Sequence, residues 1–313
     1  MTLDELAEAA PFARGSSVPA WTLGCFHRRS ITFATGAEDS ATRVIWIQSH
    51  GLTGDLRIPS NRPDLRHRTS LADCTQDECI ALASCEAGVA ETAFEDGQMH
   101  WRNWAAFQPY DKFPEPGDLR RVGTCLIEFA PSGIYVEDWR AQSGSDGLLA
   151  GLRLVSETDA DGVTRPRDGG LVIAGSHALL VLGRRSPLPT EAPVQEQIAC
   201  ARDPQEIARI AFDCEGIYLR RDPVHAMWRA VLSTDPFREG EALPIGSGFR
   251  HDEEPGRLVQ ELVEDGRPVR RNWTIDTLLA GQDIPYGTES SDTGREWLAR
   301  EAATLLATAT TRP

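Results

Sequence analysis

Two short stretches place acidic, basic and aromatic side chains at the spacing of a β-strand. In "GIYVEDWR", Tyr135, Glu137 and Trp139 occupy every second position, as do Asp55 and Arg57 in "GDLRIP". Successive side chains of a strand point to opposite faces, so each set shares one face. An apolar wall raises the pKa of a carboxyl group, which can then transfer a proton near neutral pH. The pattern therefore predicts acid/base chemistry, and the candidate catalytic residues are Glu137, Asp55, Tyr135 and Arg57.

Aromatic and amide side chains follow the same alternation nearby. In "VIWIQSH", Trp46, Gln48 and His50 share a face opposite Ile45 and Ile47. Pockets for small molecules are mostly apolar, with a few polar groups that fix the orientation of the ligand. The candidate substrate-binding residues are Trp46, Gln48, His50, Trp101, Trp104 and Trp139. The expected ligand is a small apolar molecule that carries a carbonyl or carboxylate group.

The same residues also fit a purely structural interpretation. Asp55 with Arg57, and Glu137 with Arg140, would form ion pairs near the mouth of a barrel without any catalytic role. Whether these residues line a cavity or lie on the surface depends on which face of each strand is turned inward. If the isoleucine face of "VIWIQSH" packs against the other half of the chain, the aromatic and charged face lines a cavity.

The sequence lacks the established catalytic signatures. It contains no P-loop, no glycine-rich dinucleotide pattern, no G-x-S-x-G and no H-E-x-x-H. The histidines are scattered and the seven cysteines form no C-x-x-C pair, so we expect free thiols, no metal and no cofactor. A haem site is the alternative, because His27 and His177 fall in comparable early strands of the two halves.

Composition excludes several classes of partner. The chain has 313 residues and a net charge of −15, which repels nucleic acids, and no basic run offers a local exception. No apolar run approaches the ~20 residues that span a bilayer, and the N-terminus does not resemble a secretory signal. We therefore expect a cytoplasmic protein without a nucleic-acid or membrane partner. Its oligomeric state is left open.

The candidate residues lie in a chain dominated by short strand-like segments, and part of it is repeated. "CEAGVAETAFEDGQMHWRNW" from Cys85 is echoed by "CEGIYLRRDPVHAMWR" from Cys214, and Trp139 corresponds to Trp273. Asp96-Gly97 predicts a two-residue hairpin turn. The fold class predicted is all-β, with two tandem lipocalin-like antiparallel β-barrels related by internal duplication and a short C-terminal helix. The barrels are expected at 1–160 and 161–313, divided by the polar stretch 156–170; a β-sandwich is the alternative.

Two helices are predicted at the ends of the chain. Residues 3–10 form a short leading helix. "TGRE" suggests a capping box from Thr293 to Glu296 at the start of the C-terminal helix.

Four segments carry a resemblance to a known family. "WIQSHGLTGDLRIPSNRP", "FQPYDKFPEPGDLRR", "LIEFAPSGIYVEDWR" and "DGGLVIAGSHALLVLGR" resemble a fungal casein-kinase-interacting family built from two lipocalin-like barrels. The resemblance covers residues 44–185 and is looser beyond them. It implies the double-barrel fold and the possibility of a protein-interaction adaptor, but no catalytic residue.

These observations favour a cofactor-independent acid/base enzyme of the lyase, hydratase, isomerase or cyclase type, acting in the first barrel. A carrier or sensor of a lipophilic ligand, without turnover, is the second hypothesis. An adaptor that binds another protein is the third. The same fold can serve all three functions, so the geometry of the site must decide between them.

Overall fold

A computed structural model describes residues 1–110, 114–264 and 266–310 of the chain, except the side chains of 304–310. Strands account for 46% and helices for 17% of the structure, which is mostly β as predicted. The helices are α1 (Leu3–Ala9), α2 (Gln76–Leu82), α3 (Val194–Cys200), α4 (Pro204–Ala211) and α5 (Asp292–Thr310). Single 3₁₀ turns cover Ala20–Thr22, Leu71–Asp73 and Pro236–Arg238.

The strands fall into two groups along the chain. The first ten are β1 (Phe12–Ala13), β2 (Gly24–Phe33), β3 (Glu38–Asp39), β4 (Arg43–Gln48), β5 (Leu52–Ile58), β6 (Glu86–Glu95), β7 (Gln98–Ala106), β8 (Asp118–Val122), β9 (Cys125–Phe129) and β10 (Tyr135–Ala141). The others are β11 (Gly147–Thr158), β12 (Thr164–Ala174), β13 (His177–Leu182), β14 (Glu215–Arg221), β15 (Trp228–Ser233), β16 (Ala242–Leu243), β17 (Phe249–His251), β18 (Arg257–Glu264) and β19 (Arg267–Gln282).

The smaller sheet is antiparallel and strongly curled. Its strand order is β7-β6-β5-β4-β2-β10-β9-β8, with β3 beside β2. The two outer strands approach each other at one end, where Met99 and Gly117 exchange backbone hydrogen bonds of 2.8 Å. Asp96 and Gly97 both have positive φ (53° and 82°) and form the predicted turn between β6 and β7. The curl encloses an interior that the Trp46 face of β4 shares with β5, β7 and β10.

The larger sheet has the same order of strands, with one additional strand, β16, at its edge. It runs β16-β15-β14-β13-β12-β11-β19-β18-β17, with β1 beside β19. Helices are inserted at corresponding points, α2 between β5 and β6, and α3 with α4 between β13 and β14. The repeated sequence falls on matching strands, since Trp139 lies on β10 and Trp273 on β19. A common origin of the two sheets by duplication stays a prediction.

The chain passes from one sheet to the other between Ala141 and Gly147, where β10 ends and β11 begins. The polar stretch 156–170, predicted as the division, contains the end of β11, a turn and the start of β12 within the larger sheet. The N-terminal helix α1 belongs to the larger sheet as well, with Leu3 and Leu6 in its apolar core. The sheets therefore do not divide the chain at residue 160.

The outer faces of the two sheets pack against each other. Ile45 and Ile47 share a core with Val172 and Leu179 of the larger sheet. Glycines permit the close approach: a Cβ at Gly216 would lie 2.3 Å from the Cβ of Ala87. Because the isoleucine face of β4 is turned to the larger sheet, the opposite face is turned into the smaller one, as the functional interpretation requires.

Helix α5 begins at Asp292, and its cap is Ser291, two residues before the predicted cap Thr293. Ser291 Oγ accepts a hydrogen bond from Gly294 N (3.0 Å), and the carbonyl of Ser291 accepts one from Arg295 N (2.8 Å). The predicted box at Thr293 is wrong, because the Thr293 hydroxyl donates instead to the carbonyl of Leu119 (3.2 Å) on β8. Among the described helices, none has the length and apolar character needed to cross a membrane.

Candidate active site

A cavity of about 470 Å³ lies inside the smaller sheet and opens to solvent. Its lining comes from several strands and from residues 108–110 and 114–116, between β7 and β8. Eight of the ten residues predicted from the sequence line this one cavity. They are Trp46, Asp55, Arg57, Trp101, Trp104, Tyr135, Glu137 and Trp139.

Gln48 and His50 do not line the cavity. Gln48 is fully buried behind Trp46 and accepts a hydrogen bond from the indole Nε1 (3.2 Å). His50 lies beyond the end of β4 and is half-exposed, with its Nδ1 3.0 Å from Ser16 Oγ. Strand β4 ends at Gln48, so the alternation of faces no longer applies at His50, and its side chain does not point into the cavity. Gln48 therefore supports the wall of the cavity without being part of it.

Tryptophans form one wall of the cavity. Trp46 meets Trp139 at a ring-centroid distance of 5.5 Å and Trp101 at 6.4 Å, both edge to face. Phe26 stacks behind Trp46 at 5.0 Å. Aromatic pairs in these arrangements contribute beyond the area they bury, so the wall is held rigidly.

A β-bulge brings both Trp101 and Trp104 into the cavity. Strict alternation would place residues three positions apart on opposite faces. The pairing of β6 with β7 shifts between Val89 and Glu91, and Asn103 adopts a left-handed conformation with φ of 54°. Two residues of β7 then oppose one of β6, which reverses the faces beyond Asn103.

Asp55 and Arg57 form an ion pair on the cavity wall. Arg57 Nε lies 2.8 Å from Asp55 Oδ1. Burial alone would lower the pKa of Arg57, but Asp55, Glu137 and Glu86 raise it well above its usual value. Arg57 therefore remains a cation that is already partly neutralised by Asp55.

Glu137 pairs with an arginine that the sequence analysis did not single out. Arg28 Nη1 on the neighbouring strand β2 lies 2.7 Å from Glu137 Oε1, and both side chains are almost fully buried. The alternative pair of Glu137 with Arg140 is not formed, because Arg140 lies on the opposite face of β10 and binds Asp138 at 2.8 Å. Glu137 is thus fixed as one half of a buried ion pair.

Glu128 on β9 is the main residue that sequence patterning missed. It is 5% exposed, and its two oxygens accept hydrogen bonds from Tyr135 Oη (3.2 Å) and Trp139 Nε1 (3.1 Å). It lies directly opposite Glu137 across the β9–β10 pair. Burial, and then the charge of Glu137, raise the pKa of Glu128 to about 8, while Arg57 and the two hydrogen bonds oppose that rise. Glu128 therefore keeps its proton at neutral pH, in a cavity that Asp55 and Glu137 also line.

The larger sheet does not repeat this site. Gln260 and Arg271 face each other across β18 and β19 as Glu128 and Glu137 do in the smaller sheet. The interior cavity there is only about 20 Å³. Of these two cavities, only that of the smaller sheet has room for a ligand larger than water.

The two histidines considered for haem lie between the sheets. Both ring nitrogens of His177 have protein partners, Nδ1 with Tyr218 Oη (2.7 Å) and Nε2 with the carbonyl of Ser143 (2.9 Å). The ring of His27 lies edge to face with Tyr218 at 5.7 Å. Within the described residues, no three His, Cys, Asp or Glu side chains are grouped to hold a metal ion.

Comparison of the chain with protein-family models, with curated proteins and with solved structures found no match in any of the three.

Proposed function

We propose that the cavity of the smaller sheet is the active site of a cofactor-independent acid/base enzyme of the lyase, hydratase, isomerase or cyclase type. The observation that supports it best is the pairing of unlike carboxyl groups in one cavity. Glu128 is neutral at neutral pH, whereas Asp55 is held beside a guanidinium group. A carboxyl group that keeps its proton, placed in one cavity with a second carboxyl group, offers a donor and an acceptor for acid/base catalysis.

The roles follow from the contacts. Glu128 accepts both of its hydrogen bonds, from Tyr135 and Trp139, so neither bond uses the proton that the neutral carboxyl carries. That proton is donated to the substrate, and Asp55 accepts a proton from it. Tyr135 and Arg57 orient these two groups. After an isomerisation, exchange with solvent returns Glu128 to its acid form and Asp55 to its base form.

The lining favours a carbonyl over a carboxylate on the substrate. Carboxyl groups outnumber guanidinium groups among the described lining residues, and a further carboxylate would be repelled. The acidic members are Asp55, Glu86, Glu115, Glu128 and Glu137, and the basic ones are Arg57 and Arg102. A ketone with an apolar ring fits the tryptophan wall and accepts a hydrogen bond from Glu128.

Hydrogen–deuterium exchange tests this proposal without knowledge of the natural substrate. A panel of cyclic and aryl ketones is incubated with the protein in D₂O, and loss of the α-protons is followed by NMR. We expect exchange with the wild type and about 10²–10⁴-fold slower exchange with Glu128→Gln, which keeps the shape but cannot cycle a proton. Glu254→Gln, which changes an exposed glutamate of the larger sheet paired with Arg257, is the control and keeps the wild-type rate. Equal rates for wild type and Glu128→Gln would overturn the acid/base role.

A carrier without turnover is the second candidate. The tryptophan wall offers a large apolar surface, and Asp55 already neutralises Arg57 before any ligand binds. Native mass spectrometry of the purified protein, with a search for a retained small molecule, tests this candidate. A retained ligand combined with no ketone exchange by the wild type favours the carrier.

A further inference from the structure

The bulge at Asn103 interrupts the hydrogen bonds between β6 and β7. An extra residue in one strand leaves backbone groups without a partner in the ladder. Such groups are costly when they are withdrawn from water and unpaired. The carbonyls of Val89 on β6 and of Asn103 on β7 lie at the bulge.

An arginine of the other sheet binds both carbonyls. Arg153 on β11 donates from Nη1 to the carbonyl of Val89 (3.3 Å) and from Nη2 to that of Asn103 (2.8 Å). Asp168 on β12 holds the guanidinium through Nε and Nη2, each at 2.6 Å. The side chain of Arg153 is only 17% exposed. A planar guanidinium can bind several acceptors at once in a fixed geometry, which a lysine cannot do.

The two sheets are in close contact next to the bulge, at Gly170 and Val89. A Cβ at Gly170, the residue paired with Arg153 across β11 and β12, would lie 2.7 Å from Val89 Cγ2. The absence of a side chain at Gly170 lets β6 approach until Arg153 reaches the bulge. The larger sheet thus offers a fixed donor at the point where β7 changes face.

We propose that Arg153 is a positioning residue for the cavity of the smaller sheet, acting from the larger sheet by holding the bulge that turns Trp104 inward. Without this support, β7 would regain regular alternation, and a shift by one residue turns Trp104 out and Ala105 in. The inference relies on the proposed function only in taking this cavity as the working site. In this proposal, the larger sheet contributes to the cavity by keeping Trp104 turned inward.

Fluorine NMR of protein labelled with 5-fluorotryptophan tests the proposal without any ligand. The Trp104 resonance is assigned by its loss in Trp104→Phe, and its exposure is measured by the change in shift between H₂O and D₂O. We expect Arg153→Ala to raise this solvent shift at least twofold, while the resonance of Trp139 stays unchanged. Arg153→Lys keeps the charge beside Asp168 but not the paired donors, and is expected to behave like Arg153→Ala.

A second substitution separates positioning from general stabilisation. Glycine adopts the left-handed conformation at no steric cost, so Asn103→Gly stabilises the bulge independently. Combined with Arg153→Ala, it is expected to restore the wild-type shift of Trp104. Arg250→Ala, which removes an exposed arginine of the same sheet paired with Glu261, is the control. An unchanged Trp104 resonance in Arg153→Ala, or no restoration by Asn103→Gly, would overturn the proposal.

Discussion

At Glu128, the neutral form of a carboxyl group follows from its place in the sheet. Across three adjacent strands, Glu128 on β9 faces Glu137 on β10, and Glu137 is held by Arg28 on β2. Burial is the largest cause of the raised pKa of Glu128, and the charge of Glu137 directly opposite adds to it. Because Glu137 is held by Arg28, its side chain is fixed in place opposite Glu128.

The proton on Glu128 should make the free energy of unfolding depend on pH. The pKa of Glu128 is about 8 in the folded protein and 4.5 without the fold, so the folded state binds the proton more tightly. This contribution is complete below pH 4.5 and is lost as the pH rises to about 8. We therefore expect the free energy of unfolding of the wild type, relative to Glu128→Gln, to fall across this range. Urea denaturation of both proteins at several pH values measures the difference.

Glu215 allows a check on the assignment. Burial raises the pKa of Glu215 to about 7. Glu215 therefore also lowers the free energy of unfolding as the pH rises, and it does so in both the wild type and Glu128→Gln. Subtracting the free energies of unfolding of the two proteins cancels the contribution of Glu215. A difference that does not change with pH would show that Glu128 is ionised in the folded state.

Strand alternation predicted the faces of single residues but not their partners. Tyr135, Glu137 and Trp139 all line the cavity as expected, because β10 pairs with β9 without a register shift. Glu128 stands alone as the acidic residue in the apolar run "CLIEFA", a signal that the sequence contained. Its importance depends on Glu137 lying opposite, and the pairing of β9 with β10 is a property of the folded sheet.

At the scale of elements, the bulge on β7 and a buried ion cluster of the larger sheet both depend on residues that are far apart in the sequence. The bulge on β7 depends on Arg153, which lies 50 residues further along the chain. No local pattern in "MHWRNWAAF" could have revealed that partner. In the larger sheet, Glu157 on β11 binds Arg167 (2.7 Å), Arg185 (2.6 Å) and Arg271 (2.9 Å) at the equivalent end of the sheet.

Glu157 should control the acid sensitivity of the larger sheet. Burial would raise its pKa, but Arg167, Arg271 and Arg185 together lower it to about 2. Its contribution to stability is complete above pH 4.5 and is lost as the pH falls toward 2. Glu157→Gln leaves buried guanidinium groups without their carboxylate, which typically costs about 3–5 kcal/mol. Thermal denaturation at pH 7 and pH 3 measures both effects, with Glu254→Gln, on an exposed pair with Arg257, as the control. A variant as stable as the wild type at pH 7 would contradict this account.

At the scale of the whole molecule, the two sheets form one packed unit. Their outer faces share a core that includes Ile47 and Leu179, and the helices α2, α3 and α4 add Leu82, Ile198 and Ala211 to it. Sequence repetition predicted the curled sheets, but not this shared core. Contact between the repeats depends on glycines such as Gly216, whose role appears only when the partner strand is in place.

Limited proteolysis tests this unity. The turn that follows β11 is exposed, so cleavage is expected within residues 159–163. The two fragments should remain together on gel filtration, because β11 stays paired with β12 and the sheets keep their common core. Fragments that separate under native conditions would show that the two halves are independent domains.

The ion pairs on equivalent strands have opposite polarity. In the smaller sheet the arginine is on β2 and the glutamate on β10, whereas in the larger sheet Glu157 is on β11 and Arg271 on β19. During folding, two halves with the same strand order could exchange strands, a common failure of repeated chains. An exchange of β10 with β19 would place Glu137 beside Glu157, and Arg271 beside Arg28. Like charges would then be buried next to each other, which is unfavourable. The reversed polarity of the two ion pairs therefore favours the pairing of β10 with β2 and of β19 with β11 during folding.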